Sequence, residues 1–251
     1  MSDSIFVENP NLPKGLVSEV IVSKKYKFII DELRKLGLSV IEADELAEVS
    51  GAEKYHADIS VIHLGDKNML AAKNNLVLAE KLSRLGYNVI LSENNISGKY
   101  PTCTALNAVL LGKNLICHSA LIDNMLRKYC DKCSIRLIDV KQGYARCSTA
   151  VVAENAVITS DVGIYKACIK NNIDALKIES GYIEIDDYDY GFIGGTCGKL
   201  SNDILAFCGN IKEHKNYYDI KAFALNYGVN LLSLSDRRLF DVGGIIPTKQ
   251  K

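Results

Sequence analysis

The chain has 251 residues, 48 % of them hydrophobic, and its 30 Lys and Arg balance 30 Asp and Glu. That composition is ample for a core, contains no run of transmembrane length, and lacks the basic stretches that would make nucleic acid an expected partner. Met1-Ser2-Asp3-Ser4 has neither a basic start nor an apolar region, so no secretory signal is expected, and the eight cysteines read as reduced thiols of a cytoplasmic protein.

The N-terminal segment predicts a strand over 16–22, a cap at Ser23, a helix over 26–36 and a strand over 38–42. Next come a strand over 59–64, a tight turn at Asp66-Lys67-Asn68 and a strand over 69–71. A helix over 76–85, capped by Asn74 or Asn75, places Leu76, Ala79, Leu82 and Leu85 on one face, and a strand over 87–91 follows. The same order predicts strands over 105–111 and 115–117, a cap at Ser119, a helix over 120–129 and a strand over 135–140. Beyond these, Asp161 is placed to cap a helix over 164–169. A strand over 204–207 precedes a helix over 217–227, and residues 239–246 offer a last strand. Cys130 and Cys133 form a CxxC, but no second ligand pair stands at zinc spacing, so neither metal nor cofactor is expected.

Asn68, Asn114, Asn155 and Asn202 each sit in a short polar turn between apolar runs, 46, 41 and 47 residues apart. A period of that size means one supersecondary unit repeated. Gly37, Gly86 and Gly228 each end a helix-like stretch and precede a strand-like one; helix ends near Cys133 and near Asn171-Asn172 fill the gaps between them. The expected fold is α/β: a closed ring of five strand–strand–helix–strand (ββαβ) units in a single domain. Their approximate bounds are 55–99, 100–143, 144–193 and 194–236, with 237–251 joining 1–54 so that both chain ends close the fifth unit. A doubly wound sheet would show strand–helix alternation, whereas here a hairpin precedes each helix.

The start of each unit's first strand should lie near the axis of such a ring. Reading along the period, Asp58, Cys103, Cys147 and Cys197 fall there at intervals of 45, 44 and 50 residues. His56-Ala57-Asp58, Gly143-Tyr144-Ala145-Arg146-Cys147 and Asp241-Val242-Gly243-Gly244 supply an imidazole, a thiol and carboxylates. The architecture and these segments resemble the pentein superfamily, the α/β-propellers that modify guanidino groups. The resemblance implies a cysteine-dependent hydrolase or amidinotransferase acting on a guanidino or amidino compound. Cys147 would be the nucleophile, His56 the general acid/base, and Asp58 a catalytic carboxylate. Asp241, Arg146, Cys103 and Cys197 would line the substrate site, with Cys197 as a competing nucleophile. Two units follow Cys147, so the match implies a circularly permuted order. The alternative is a non-catalytic pentein-fold protein that binds the ribosome or another protein.

Residues 182–190 carry four acids and three tyrosines, Asp187 and Asp189 among them. The segment is either a lid that attracts a cation or a solvated acidic loop. The Gly194-Gly195 and Gly243-Gly244 pairs fit no phosphate-loop or dinucleotide pattern and read as places where strands crowd together. Nothing in the sequence indicates an oligomeric state.

Overall fold

The computed structural model describes residues 4–251. The N-terminal segment forms β1 (Ile5–Phe6), β2 (Val17–Ser23), α1 (Lys27–Lys35) and β3 (Ser39–Ala43). A short helix α2 (Ala57–Ser60) then leads into β4 (Val61–Gly65), β5 (Asn68–Ala71), α3 (Leu76–Arg84) and β6 (Asn88–Leu91). The pattern recurs as β7 (Val109–Leu111), β8 (Asn114–Cys117), α4 (Asn124–Lys132) and β9 (Arg136–Asp139). It recurs again as β10 (Thr149–Ala153), β11 (Ala156–Thr159), α5 (Val162–Lys170) and β12 (Asp174–Lys177). The fourth occurrence is β13 (Cys197–Ser201), β14 (Ile204–Phe207), α6 (Tyr217–Asn226) and β15 (Asn230–Ser233), and β16 (Ile246–Gln250) ends the chain.

In each unit an antiparallel hairpin is extended by a parallel strand that returns after the helix, as in β4–β5–β6. The fifth sheet has the order β1–β16–β2–β3: the C-terminal strand lies between the first two and pairs antiparallel with both. Five separate small sheets rule out a doubly wound sheet.

The apolar cores follow the same cyclic order. One joins α2 and β5 to β8 and α4 through Ile59, Leu70, Leu115 and Leu126. The next joins Ile116 and Ile138 to Val157 and Ile164, and a third joins Ile158 to Phe207 and Ile220. Two more link the N-terminal unit to the fourth (Ile30 and Val20 with Ala206) and to the first (Ile21 with Met69 and Leu78). Each unit shares a core with both neighbours, so the ring closes by packing as well as by strand pairing.

All five long helices that end a unit's outer arc stop the same way. Gly37, Gly86, Ser134, Asn172 and Gly228 take positive φ of 84°, 91°, 53°, 60° and 69° just past the helix. Serine and asparagine tolerate the left-handed conformation at the two stops without glycine. Asn75 caps α3 by accepting from Leu78 N at 3.2 Å, and Asp161 caps α5 by accepting from Ile164 N at 2.8 Å.

Three local expectations are corrected. The last strand is not 239–246: Gly243 and Gly244 have φ of 78° and 76°, which breaks the extended chain, and β16 starts at Ile246. The helix expected from residue 120 starts at Asn124, because Leu121 N bonds back to His118 O and Asp123 supplies the cap to Met125 N. Ser119 instead hydrogen-bonds Asp139 at 2.5 Å. Finally, Ser23 does not cap α1; its hydroxyl accepts from Lys25 N at 3.3 Å.

Candidate active site

The site is assembled from loops that precede or bridge the units. A 3₁₀ turn over Ala52–Tyr55 carries Glu53, and His56 and Asp58 follow on either side of the start of α2. The turn before β10 carries Tyr144, Arg146 and Cys147, and is held by Ser148 N to Tyr144 O at 2.9 Å. Asn107, just before β7, ties these loops together. Its Oδ1 accepts from Arg146 N at 2.8 Å and Cys147 N at 3.2 Å, while its Nδ2 donates to Asp58 O and Cys147 Sγ, each at 3.1 Å.

Cys147 Sγ lies 3.1 Å from Asp58 Oδ2, and His56 Nδ1 faces Asp241 Oδ1 at 3.8 Å. Asp241 is held by two backbone donors, Phe192 N at 2.9 Å and Gly243 N at 3.1 Å. The two Gly-Gly pairs make this possible. A Cβ on Gly195 would run into the Asp241 carboxylate, and one on Gly243 would run into His56.

Above these groups lies a cavity of about 270 Å³. Its floor includes His56, Cys147 and Asp241; its walls are Glu53, Tyr144, Phe192 and, from the 182–190 segment, Ile185, Tyr188, Asp189 and Tyr190. Glu53 accepts from Tyr144 OH at 2.7 Å and from Tyr188 OH at 2.8 Å. Among the described residues no Lys or Arg lines this cavity. The wall segment is anchored at Asp186 by Lys25 Nζ at 2.6 Å, and at Glu184, whose carbonyl accepts from Asp241 N at 2.8 Å.

Burial dominates the electrostatics. It lifts the Asp58 carboxyl to about 6, against the opposing pull of His56 and Arg146, and it raises Asp241 as well. Cys147 is held well above the ordinary thiol range, first by burial and then by the negative fields of Asp58 and Asp241. Burial and Glu53 push the Tyr188 hydroxyl up to about 12. The cavity is therefore an acidic, aromatic-walled space over a protonated thiol.

Of the residues singled out from sequence, His56, Cys147, Asp241 and Asp189 line the cavity, and Asp58 stands directly against the thiol. The others do not line it. Arg146 spends its guanidinium on Gly194 O at 2.9 Å and borders a smaller recess with Asp58 and His63 on another side of the axial residues. Cys103 Sγ meets Tyr144 OH at 3.4 Å from behind the wall. Cys197 is buried beneath Gly194 and its thiol is pushed up to about 12 by burial. Asp187 borders a neighbouring recess with Lys99 and Tyr100. Nor do the four axis candidates share one register: Cys197 opens β13, whereas Asp58, Cys147 and Cys103 precede β4, β10 and β7 by three, two and six residues.

Sequence reasoning missed Glu53, Asn107, Tyr144 and Phe192. Tyr188 and Tyr190 were signalled by the composition of their segment. For Asn107 a faint signal existed, a lone amide at the mouth of an apolar run; for Glu53 there was none.

The chain belongs to the family of unknown function DUF6873, whose family model matches residues 21–246. No curated protein matches it. Among solved structures it is similar to the inosamine-phosphate amidinotransferase of Streptomyces griseus, with 11% identity and a TM-score of 0.58 over 96% of this chain and 93% of that one. It is similar also to the agmatine deiminase of C. jejuni, with 8% identity and a TM-score of 0.58 over 94% and 92%. A mutant of DDAH from Pseudomonas aeruginosa complexed with citrulline gives 10% identity and a TM-score of 0.55 over 88% and 93%. At such identities the likeness is one of fold: this DUF6873 ring has the pentein-type α/β-propeller fold. Among the described residues no helix is long and apolar enough to cross a membrane.

Proposed function

We propose that this DUF6873 protein is a cysteine-dependent hydrolase or amidinotransferase acting on a cationic guanidino or amidino compound. The observation that carries this is the convergence of His56, Asp58, Cys147 and Asp241 beneath a cavity walled by Glu53, Asp189 and aromatic rings. A planar cation entering there would meet Asp241 and Glu53 through charge-assisted hydrogen bonds and the tyrosine faces through cation–π contact.

The resting thiol is protonated, and the substrate itself supplies what is missing. A guanidinium beside Cys147 offsets the negative fields of Asp58 and Asp241, which lowers the thiol's pKa. The S–H proton passes to Asp58 Oδ2 as sulfur attacks the guanidinium carbon. The C–N bond to the departing amine then breaks, and the amine takes that proton from Asp58. An amidino thioether remains on Cys147. Water in a hydrolase, or a second amine in a transferase, attacks that carbon with its proton going to His56; the C–S bond breaks, and the leaving sulfur takes that proton from His56 to restore the thiol.

The site draws residues from four of the five units, which supports treating units 55–99, 100–143, 144–193, 194–236 and 237–251 plus 1–54 as one domain. Eight cysteines without a disulfide support a cytoplasmic setting. The test is incubation of purified protein with agmatine, arginine and methylarginines, following release of amine and ureido product, beside calorimetric binding. Turnover abolished by Cys147→Ser is the expected result. The raised thiol favours a second reading, a non-catalytic binding protein, and binding without product would select it. Failure of every guanidino cation to bind would overturn both the enzyme and the guanidino site.

A further inference from the structure

Three donor atoms of different chemistry meet at the base of the cavity. An imidazole nitrogen of His56, a carboxylate oxygen of Asp58 and the sulfur of Cys147 all lie within 4.8 Å of one another, and all three residues are buried. His56 and Asp58 each carry unsatisfied atoms. Neither ring nitrogen of His56 has a hydrogen-bond partner, and Asp58 Oδ1 has none. Buried polar atoms without partners are rare, and a cluster of them calls for an ion or water to complete it. The Arg146 guanidinium is already committed to the backbone carbonyls of Gly194 and Thr149.

We propose that His56, Asp58 and Cys147 bind one divalent transition metal of the zinc class, and that metal and cationic substrate exclude each other. Sulfur, imidazole and carboxylate together select zinc, cobalt or nickel over magnesium and calcium, which take all-oxygen sites. Three protein ligands leave a fourth position, and the cavity lies on the open side. Metal–ligand bonds of about 2.0–2.3 Å put tetrahedral donors roughly 3–4 Å apart. Sγ and Asp58 Oδ2 already stand at 3.1 Å, so the remaining adjustment is a small inward turn of side chains. Asp241, 3.8 Å from His56 Nδ1, occupies the place from which a carboxylate steadies a ligating imidazole. Binding converts the Cys147 thiol to thiolate and releases one proton to solvent. The metal-binding assignment stands on this geometry alone. Mutual exclusion rests on the guanidino reading, because the sulfur that holds the metal is the one that would attack the substrate.

Chelator-stripped protein titrated with Co2+ should develop a thiolate-to-cobalt charge-transfer band that saturates at one equivalent and is displaced by Zn2+. The band should vanish in Cys147→Ser and persist in Cys133→Ser, with circular dichroism verifying that both variants are folded. Asp241→Asn, which removes no ligand, should weaken Co2+ binding by about 10–100-fold. An absent band, or one that survives Cys147→Ser, overturns the site. Zn2+ should raise the apparent KM for whichever guanidino compound is turned over, and chelator should reverse this; turnover indifferent to bound zinc overturns the exclusion. The band without turnover in chelated protein leaves the metal site standing and removes the guanidino reading. Turnover without the band does the opposite.

Discussion

Asp58→Asn should stabilise the protein at neutral pH while disabling it. Asp58 is fully buried, and its carboxyl is raised from the ordinary 3.8 to about 6, chiefly by burial. The folded state therefore holds this proton more tightly than the unfolded state does. The stability associated with the group is complete below about pH 4, falls as pH climbs toward 6, and stays low above that. A rise of roughly two pH units, at about 1.4 kcal/mol each, means that keeping the group ionised at neutral pH costs about 3 kcal/mol. Asparagine has nearly the same shape and no charge, and its carbonyl can still accept from the Cys147 thiol. The variant should match the wild type near pH 4 and exceed it by about 3 kcal/mol near pH 7.5, a Tm gain of roughly 6–12 °C at this size. Urea unfolding at the two pH values measures it directly. A variant less stable at neutral pH, or one that gains equally at both, would refute the assignment of Asp58 as an ionisable group held at a cost to stability.

Neutral iodoacetamide should modify Cys133 first, the one half-exposed thiol, and Cys147 slowly; a cationic haloacetamidine should invert that order by bringing its own positive charge to the site. Peptide-level mass spectrometry reads the ranking, and identical rankings for both reagents would count against the cation-binding cavity. Gly195→Ala should displace Asp241 and cost about 1–3 kcal/mol by overpacking, visible in thermal melts; an unchanged melt would contradict the close approach. Truncation after Ile245 removes β16 and with it the pairing to β1 and β2, so the ring should lose cooperative unfolding, and a sharp, unshifted transition would contradict closure by the chain ends.

The ring was legible because its units share punctuation. A left-handed residue ends five helices, and a hairpin precedes every full unit's helix; both follow from local chemistry that a sequence displays. The asparagine period was close but not in register. The carbonyls that accept the first parallel-strand bond belong to Lys67, Lys113, Asn155 and Asp203, so the asparagine drifts by up to two positions from unit to unit. Asparagine is favoured at several positions of a turn, because its side chain can bond nearby backbone from more than one of them, as Asn68 does to Gly65 O. The last strand was misplaced for a related reason: Leu239, Val242 and Ile245 are buried, but they pack as a loop around the left-handed Gly243 and Gly244.

The site was only half legible, because a pseudo-symmetric ring need not place its chemistry on equivalent positions. Repeat arithmetic put Cys103 and Cys197 beside Cys147 as equals, yet each unit enters its first strand through an irregular turn of different length, and those turns decide which side chain reaches the cavity. His56 and Asp58 were found through a short motif, and their spacing has a local cause: they flank the first residue of α2, so one short helix start delivers both to the thiol. Glu53 comes from the 3₁₀ turn over Ala52–Tyr55, and it becomes a site residue only because Tyr144 from one unit and Tyr188 from the 182–190 segment close on it. Such a residue is defined by three distant segments meeting, which no single stretch of sequence records. The same geometry explains the charge pattern. Glu53 and Asp58, five residues apart, and the distant Asp241 carry no sequence signal of an acidic cluster, yet the fold concentrates them near one protonated thiol, where an arriving cation, organic or metallic, adds to the partial balance that His56 and Arg146 supply.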